Sequence, residues 1–330
     1  MNANHTNHTA LVTGANSGLG FEAAAQLAEG GYGRVILACR TLQKAEGARA
    51  ALVERVGSDP FDTLAIDVAD IASSKGAAAE LIGRGHHIDA LLLNAGMVPG
   101  DDLVKSADGL EMSYAASIVG HHVLTVRLLD AGLLDGARIV IAGSEAANND
   151  LPKMMGMEVY GFVTGAPSTF GSGLPEAMST FVHGGKPEAY VGTRTYSTTK
   201  VFTAWWTLEM GRRFGDRVSV FNVSPGANMS TNAARHATGF KRFLFTKVMP
   251  ALGPLLGMDQ PVAVGAKRYV DVLLDDAGKF EGGRTYTSAP RKMVGPLFAV
   301  EYPHIRDEER QEVAWSLLHE LTGVGQAAAV

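Results

Sequence analysis

Short apolar runs alternate along the chain with stretches whose apolar residues recur at helical spacing. The run 10–12 is followed by Phe21, Ala24, Ala25 and Leu27 on one helical face. Similar runs stand at 35–38, 63–66, 88–93, 138–144 and 218–223, and 283–287 reads as the last strand. Helical patterns fill the intervals: 42–56, a segment from near Ile71, 108–125, a stretch through Phe202, Trp205, Leu208 and Met210, then 261–274 and 307–322. Runs that are apolar throughout suit strands buried on both faces. The alternation therefore predicts an α/β fold, a doubly wound parallel sheet with helices on both faces and right-handed crossovers. No repeat or linker composition interrupts it, so 1–330 reads as a single domain.

Three regions depart from this rhythm. The stretch 145–192 carries Met154, Met155, Met157, Tyr160, Phe162, Phe170 and Phe181 among many glycines, and is too long for a structureless loop. It is expected to be a lid insertion or small subdomain, its methionines and aromatics either lining an adaptable apolar pocket or packing on one another. Within 227–258, Phe240, Phe243, Leu244, Phe245, Val248 and Met249 make an apolar segment broken by Pro250 and Pro254. Lys241, Arg242 and Lys247 beside them allow contact with a membrane surface as a minor reading. In the C-terminal helix, Val313, Leu317 and Leu321 share an apolar face with Trp315 placed elsewhere. That face needs a partner, an apolar segment of this chain or another subunit, which leaves a homo-oligomer open.

With 330 residues, 46% hydrophobic and 19% charged, the chain can bury a large core. A net charge of −5 without a dense basic run argues against nucleic acid as a partner. Cys39 is the sole cysteine, so neither an internal disulfide nor a thiolate cluster is available. No His, Asp or Glu grouping has metal-ligand spacing, and His121 and His122 read as helix residues, one packed and one exposed. The polar N-terminus shows no secretion signal and no run is long enough to span a membrane, which together give a cytoplasmic expectation.

The candidate chemistry begins at Thr13-Gly14-Ala15-Asn16-Ser17-Gly18-Leu19-Gly20, between the first strand and the first helix. Strand, glycine turn and helix in that order make a Rossmann-like dinucleotide site. Gly14 takes backbone angles closed to other residues, while Gly18 and Gly20 clear space for a pyrophosphate at a helix N-terminus. Arg40, just past the second strand, can grip a 2′-phosphate with forked donors where an acidic residue would repel it. NADP (NADPH) is therefore favoured over NAD, the alternative being a solvated arginine. Ser17 could bond the same phosphate.

Further on, Tyr196 and Lys200 stand four apart on one helix face, where an ammonium would favour phenolate and draw the tyrosine toward acid/base work near neutrality. Ser144 sits at the C-terminal end of the fifth strand, where open parallel sheets place their chemistry.

These elements together, with Asn94-Ala95-Gly96 after the fourth strand and Ser224-Pro225-Gly226 after the sixth, resemble the short-chain dehydrogenase/reductase family from about Ala10 to Gly226. The segment 108–125 resembles its retinol-dehydrogenase-like members. The resemblance implies that Ser144 donates a hydrogen bond to the substrate oxygen, Tyr196 is the acid/base, and Lys200 binds the nicotinamide ribose and tunes Tyr196. It implies that Asp67, with Val68, meets the adenine, though Asp67 also suits an N-cap for the helix near Ile71. Asn94 would brace the sheet, Ala95 and Gly96 would let the backbone pass close to the cofactor, and Pro225, Gly226 and Thr231 would hold the carboxamide, with Ser230 the alternative hydroxyl. The family places its substrate cap at 227–258. One position departs: Ser117 stands where the family usually carries a catalytic asparagine.

The expected activity is NADP-dependent hydride transfer between the nicotinamide and a carbonyl or alcohol of a small apolar substrate. Two alternatives stand beside it. Ser117 and the insertion leave room for a dinucleotide-binding protein with weakened catalysis. Protochlorophyllide reductases, a branch of the same family, also carry an insertion before the tyrosine helix, which keeps reduction of a C=C bond in a large planar substrate in view.

Overall fold

The computed structural model describes residues 5–228 and 259–324, so Thr231 and Ser230 and nearly all of the expected cap 227–258 lie outside the described residues. The apolar runs become Thr9–Thr13 (β1), Arg34–Cys39 (β2), Phe61–Ala65 (β3), Ala90–Leu93 (β4), Arg138–Ala142 (β5), Ser219–Val223 (β6) and Arg284–Thr287 (β7). They form one sheet in the order β3-β2-β1-β4-β5-β6-β7, all parallel. The order reverses between β1 and β4, paired in register Leu11↔Leu91, and the crevice beyond their carboxyl ends is where such sheets bind ligands.

The expectation that β7 ends the sheet is corrected. Phe298–Val300 (β8) pairs antiparallel with β7 through Tyr286↔Ala299. With three residues, two of them exposed, this edge strand carries too little pattern to be read from sequence.

Side chains alternate across the sheet. Leu11, Ile36, Leu91, Leu93, Ile139 and Ile141 enter one core, and Ala10, Val12, Val35, Leu37, Leu92 and Val140 the other. Gly18–Glu29 (α1) and Leu42–Val56 (α2) cover the second core. The first lies under Ile71–Arg84 (α3), whose N-cap is Asp70, its side chain accepting from Ser73 N at 2.8 Å. Asp67 instead accepts from Ala69 N, so its N-cap reading is corrected.

The helix expected at 108–125 starts at Met112–Tyr114 (α4), passes through a π turn at Ala115–Val119 and continues as Gly120–Asp130 (α5). The widened turn lies against the loop after β3. Gly120 N donates to Val68 O at 3.1 Å, outside the helix, and a Cβ at Gly120 would overlap that carbonyl. π turns of this kind are frequent at functional sites, and Ser117 stands in the middle of this one.

The stretch 145–192 contains Gly161–Thr164 (α6) and Leu174–Val182 (α7), followed by the long helix Gly192–Phe214 (α8). Tyr160, Phe162, Phe170 and Phe181 are buried in the main core rather than lining an open pocket, and Phe181 stacks on Phe202 of α8 at 5.8 Å. Beyond β6, Val262–Leu273 (α9) covers the second core, and the short Pro303–Arg306 (α10) precedes Glu308–Thr322 (α11).

Asp307 caps α11, accepting from Arg310 N at 3.0 Å. Its apolar face is also corrected. The buried set is Gln311, Ala314, Trp315, Leu317, Leu318 and Thr322, with Val313 and Leu321 on the flank. Its partner is this chain's own core: Trp315 meets the His122 ring edge-on at 5.0 Å and lies under the Arg213 guanidinium. Covered in this way, His122 is as buried as His121, against the expectation that one of them is exposed.

Candidate active site

The glycine turn and the end of β4 are tied together by Thr13. Its Oγ1 accepts from Asn94 N at 2.9 Å and Ala95 N at 3.0 Å, and Asn94 Nδ2 returns a bond to Thr13 O at 3.0 Å. The fully buried threonine hydroxyl is thus used inside the protein, bracing two strand ends at the crevice rather than facing a ligand. Gly14 has φ +68°, and a Cβ on Gly20 would overlap Gly14 O, so the turn closes onto the helix only with glycine at both positions.

Asn16, Ser17 and Gly18 are exposed and Leu19 is partly buried at the start of α1. Ser17 makes no side-chain cap, and no acidic residue occupies the first turn. The first-turn amides therefore remain free of a side-chain competitor and suit a pyrophosphate. Arg40, exposed over 67% of its side chain, lies 3.4 Å from Asp67 through Nε. This pair sets the residue expected at a 2′-phosphate against the one expected at the adenine. Val68 is buried, its carbonyl taken by Gly120.

Ser144, Tyr196 and Lys200 converge past β5. Burial is the chief cause holding the Tyr196 phenol above its ordinary pKa; the Ser144 hydroxyl works against that rise and the Glu145 carboxylate adds to it. The expectation that Lys200 draws Tyr196 down toward neutrality is corrected. Lys200 Nζ donates to Ala142 O at 2.7 Å and sits 5.7 Å from the Tyr196 ring centroid. Burial pulls the Lys200 ammonium itself down to about 8. As it stands, the site holds a protonated phenol beside an ammonium that titrates near physiological pH.

Behind these groups, His121 spans from the π turn to the glycine turn, with Nδ1 3.1 Å from Ser117 O and Nε2 3.0 Å from Thr13 Oγ1. Burial lowers His121 to about 4, so the ring is neutral, and donating to the carbonyl through Nδ1 leaves Nε2 to accept the threonine proton. Ser117 Oγ is buried without a hydrogen-bond partner among the described residues, close under Gly96.

Pro225 and Gly226 sit at the end of β6, where Gly226 N donates to Ser224 Oγ at 3.0 Å and Gln260 Nε2 donates to Pro225 O. Sequence reading missed His121, Glu145 and Arg268 as site residues. His121 is i+4 from Ser117, a signal that was available; the other two carried none.

Residues 8–161 match the family described as short chain dehydrogenase. The chain is 30% identical over 246 residues to the WW domain-containing oxidoreductase of Drosophila melanogaster, covering 73% of this chain and 54% of that protein. It is 29% identical over 258 residues to the protochlorophyllide reductase of Chlamydomonas reinhardtii, covering 74% and 61%. With retinol dehydrogenase 13 of Homo sapiens it shares 27% over 323 residues, covering 96% and 85%. The chain thus spans little more than half the length of the first two. Among solved structures, an uncharacterized protein from Mycobacterium paratuberculosis is similar in fold, with a TM-score of 0.68 at 20% identity, covering 98% of this chain and 97% of that one. Among the described residues no helix is long and apolar enough to cross a membrane.

Proposed function

The chain belongs to the short-chain dehydrogenase family, and we propose that it is an NADP-dependent oxidoreductase acting between a carbonyl and an alcohol on an apolar substrate. The observation that carries this reading is the placement of Tyr196 and the buried Lys200 beyond the end of β5, where Ser144 follows, with Lys200 Nζ on Ala142 O at 2.7 Å and 5.7 Å from the Tyr196 ring. The uncapped start of α1 binds the pyrophosphate through its amides and Arg40 binds the 2′-phosphate. When bound, NADPH supplies the hydride.

The residues of the chain handle the oxygen and the proton. Ser144 presents its hydroxyl to the substrate oxygen, and the Tyr196 hydroxyl hands over its proton as charge develops there. A phenol held protonated by burial is in the form needed to donate a proton to the substrate oxygen. Lys200 places a positive charge beside the phenol and keeps it while the pH stays below about 8. Pro225 and Gly226 border the same crevice and contact the nicotinamide end.

The 29% identity to a protochlorophyllide reductase supports a second reading, reduction of a C=C bond in a large planar substrate. A panel of apolar aldehydes, ketones and conjugated enones, followed by NADPH absorbance, separates the two. Turnover of carbonyls supports the first reading, turnover of enones alone the second. NADPH binding without turnover of either supports a dinucleotide-binding protein with weakened catalysis.

A further inference from the structure

Immediately after Ser144 the chain buries a carboxylate. Glu145 Oε1 lies 3.2 Å from Arg268 Nη1 of α9, and both side chains are less than a tenth exposed. Neither ion is left with unmet bonds. Glu145 accepts from Ser224 Oγ, from Ser288 Oγ at 2.8 Å and from Ser288 N at 3.2 Å. Arg268 donates onward to Ser224 O at 3.1 Å, to Ser288 Oγ at 3.0 Å and to Gly295 O. The network therefore joins the carboxyl ends of β5, β6 and β7 to α9. Ser224 Oγ is also the acceptor for Gly226 N.

A buried ion pair is costly to desolvate and adds little net stability, but when every bond is met it holds its surroundings in one arrangement. Here the surroundings are Ser144, the Ser224–Pro225–Gly226 turn and the phenol of Tyr196. We propose that Glu145 and Arg268 are positioning residues, locking the nicotinamide turn against Ser144 and fixing a carboxylate next to Ser144 at the proton-transfer site. The inference rests on the oxidoreductase reading for its purpose, not for its geometry.

Among the described residues, the groups that face Tyr196 are Lys200 from its own helix, Ser144 and Glu145 from the end of β5, and Tyr269 from α9, with Arg268 behind Glu145. Lys200 is committed to Ala142 O and Tyr269 is itself pushed up by burial. Glu145 is thus the one carboxylate acting on the phenol within this set, and it opposes ionisation.

The test reads Tyr196 directly in the free protein. Phenolate difference absorbance between each protein and its Tyr196→Phe counterpart isolates this residue from the other tyrosines, over the pH range in which circular dichroism shows the fold intact. Glu145→Gln should move the titration to lower pH by at least about half a unit and weaken NADPH binding several-fold. Should that variant not fold, Glu145→Gln with Arg268→Met leaves no unpaired buried charge and is expected to shift the titration the same way. A Tyr196 titration unmoved in a folded variant overturns the proposal. Failure of the parent protein to bind NADPH would instead sink the oxidoreductase reading and leave the titration result standing.

Discussion

Lys200 Nζ donates to Ala142 O at 2.7 Å, which anchors the ammonium to the end of β5 and keeps it beside Tyr196 without neutralising it. With its pKa drawn down to about 8, Lys200 is charged below that pH and neutral above it. NADPH affinity and turnover, which need the charge, are expected to be full near pH 7 and to fall as pH rises through about 8. Lys200→Met should abolish turnover and flatten this pH profile of NADPH affinity; an unchanged profile in the variant would assign the limb to another group.

Arg40 stands exposed beside Asp67. Arg40→Asp brings two carboxylates together where a 2′-phosphate would bind, so NADPH affinity should fall at least about tenfold while NADH affinity holds or rises. Equal affinities for the two cofactors in the parent protein would sink the role given to Arg40.

Thr13 is assigned to bracing rather than to ligand contact. Thr13→Val keeps the shape but leaves the Asn94 and Ala95 amides without their acceptor, a loss of at least about 2 kcal/mol read as a lower Tm. An unaltered Tm with weakened NADPH binding would instead make Thr13 a direct cofactor contact.

The stretch 145–192 is bound to the core through its aromatics. Phe181→Ala empties the stack on Phe202 and should cost about 3–5 kcal/mol in chemical denaturation, as core phenylalanines do. A cost below about 1 kcal/mol would mark the insertion as an independent flap.

The parallel sheet was legible because its strands are buried on both faces and read as unbroken apolar runs, and Tyr196 and Lys200 were legible because a helix puts residues four apart on one face. What sequence did not reveal depends on contacts between distant elements. The π turn at Ser117 lies against Val68, whose carbonyl accepts from Gly120 N across elements far apart in sequence. Glu145 and Arg268 are 123 residues apart, and charged residues in isolation read as surface. Trp315 was misplaced because the buried stripe of α11 includes Gln311 and Thr322, whose polar side chains hide it from a hydrophobic pattern. The four-residue spacing places Lys200 near Tyr196 but does not show where its ammonium points, which is to Ala142 O.

If the Tyr196 hydroxyl donates the proton, Tyr196→Phe removes that proton while keeping the ring and should stop the reaction. NADPH affinity should stay within about twofold of the parent, and NADPH-linked turnover of the best carbonyl substrate should fall at least about a hundredfold. Turnover retained at the parent rate, with NADPH still bound, would contradict the account.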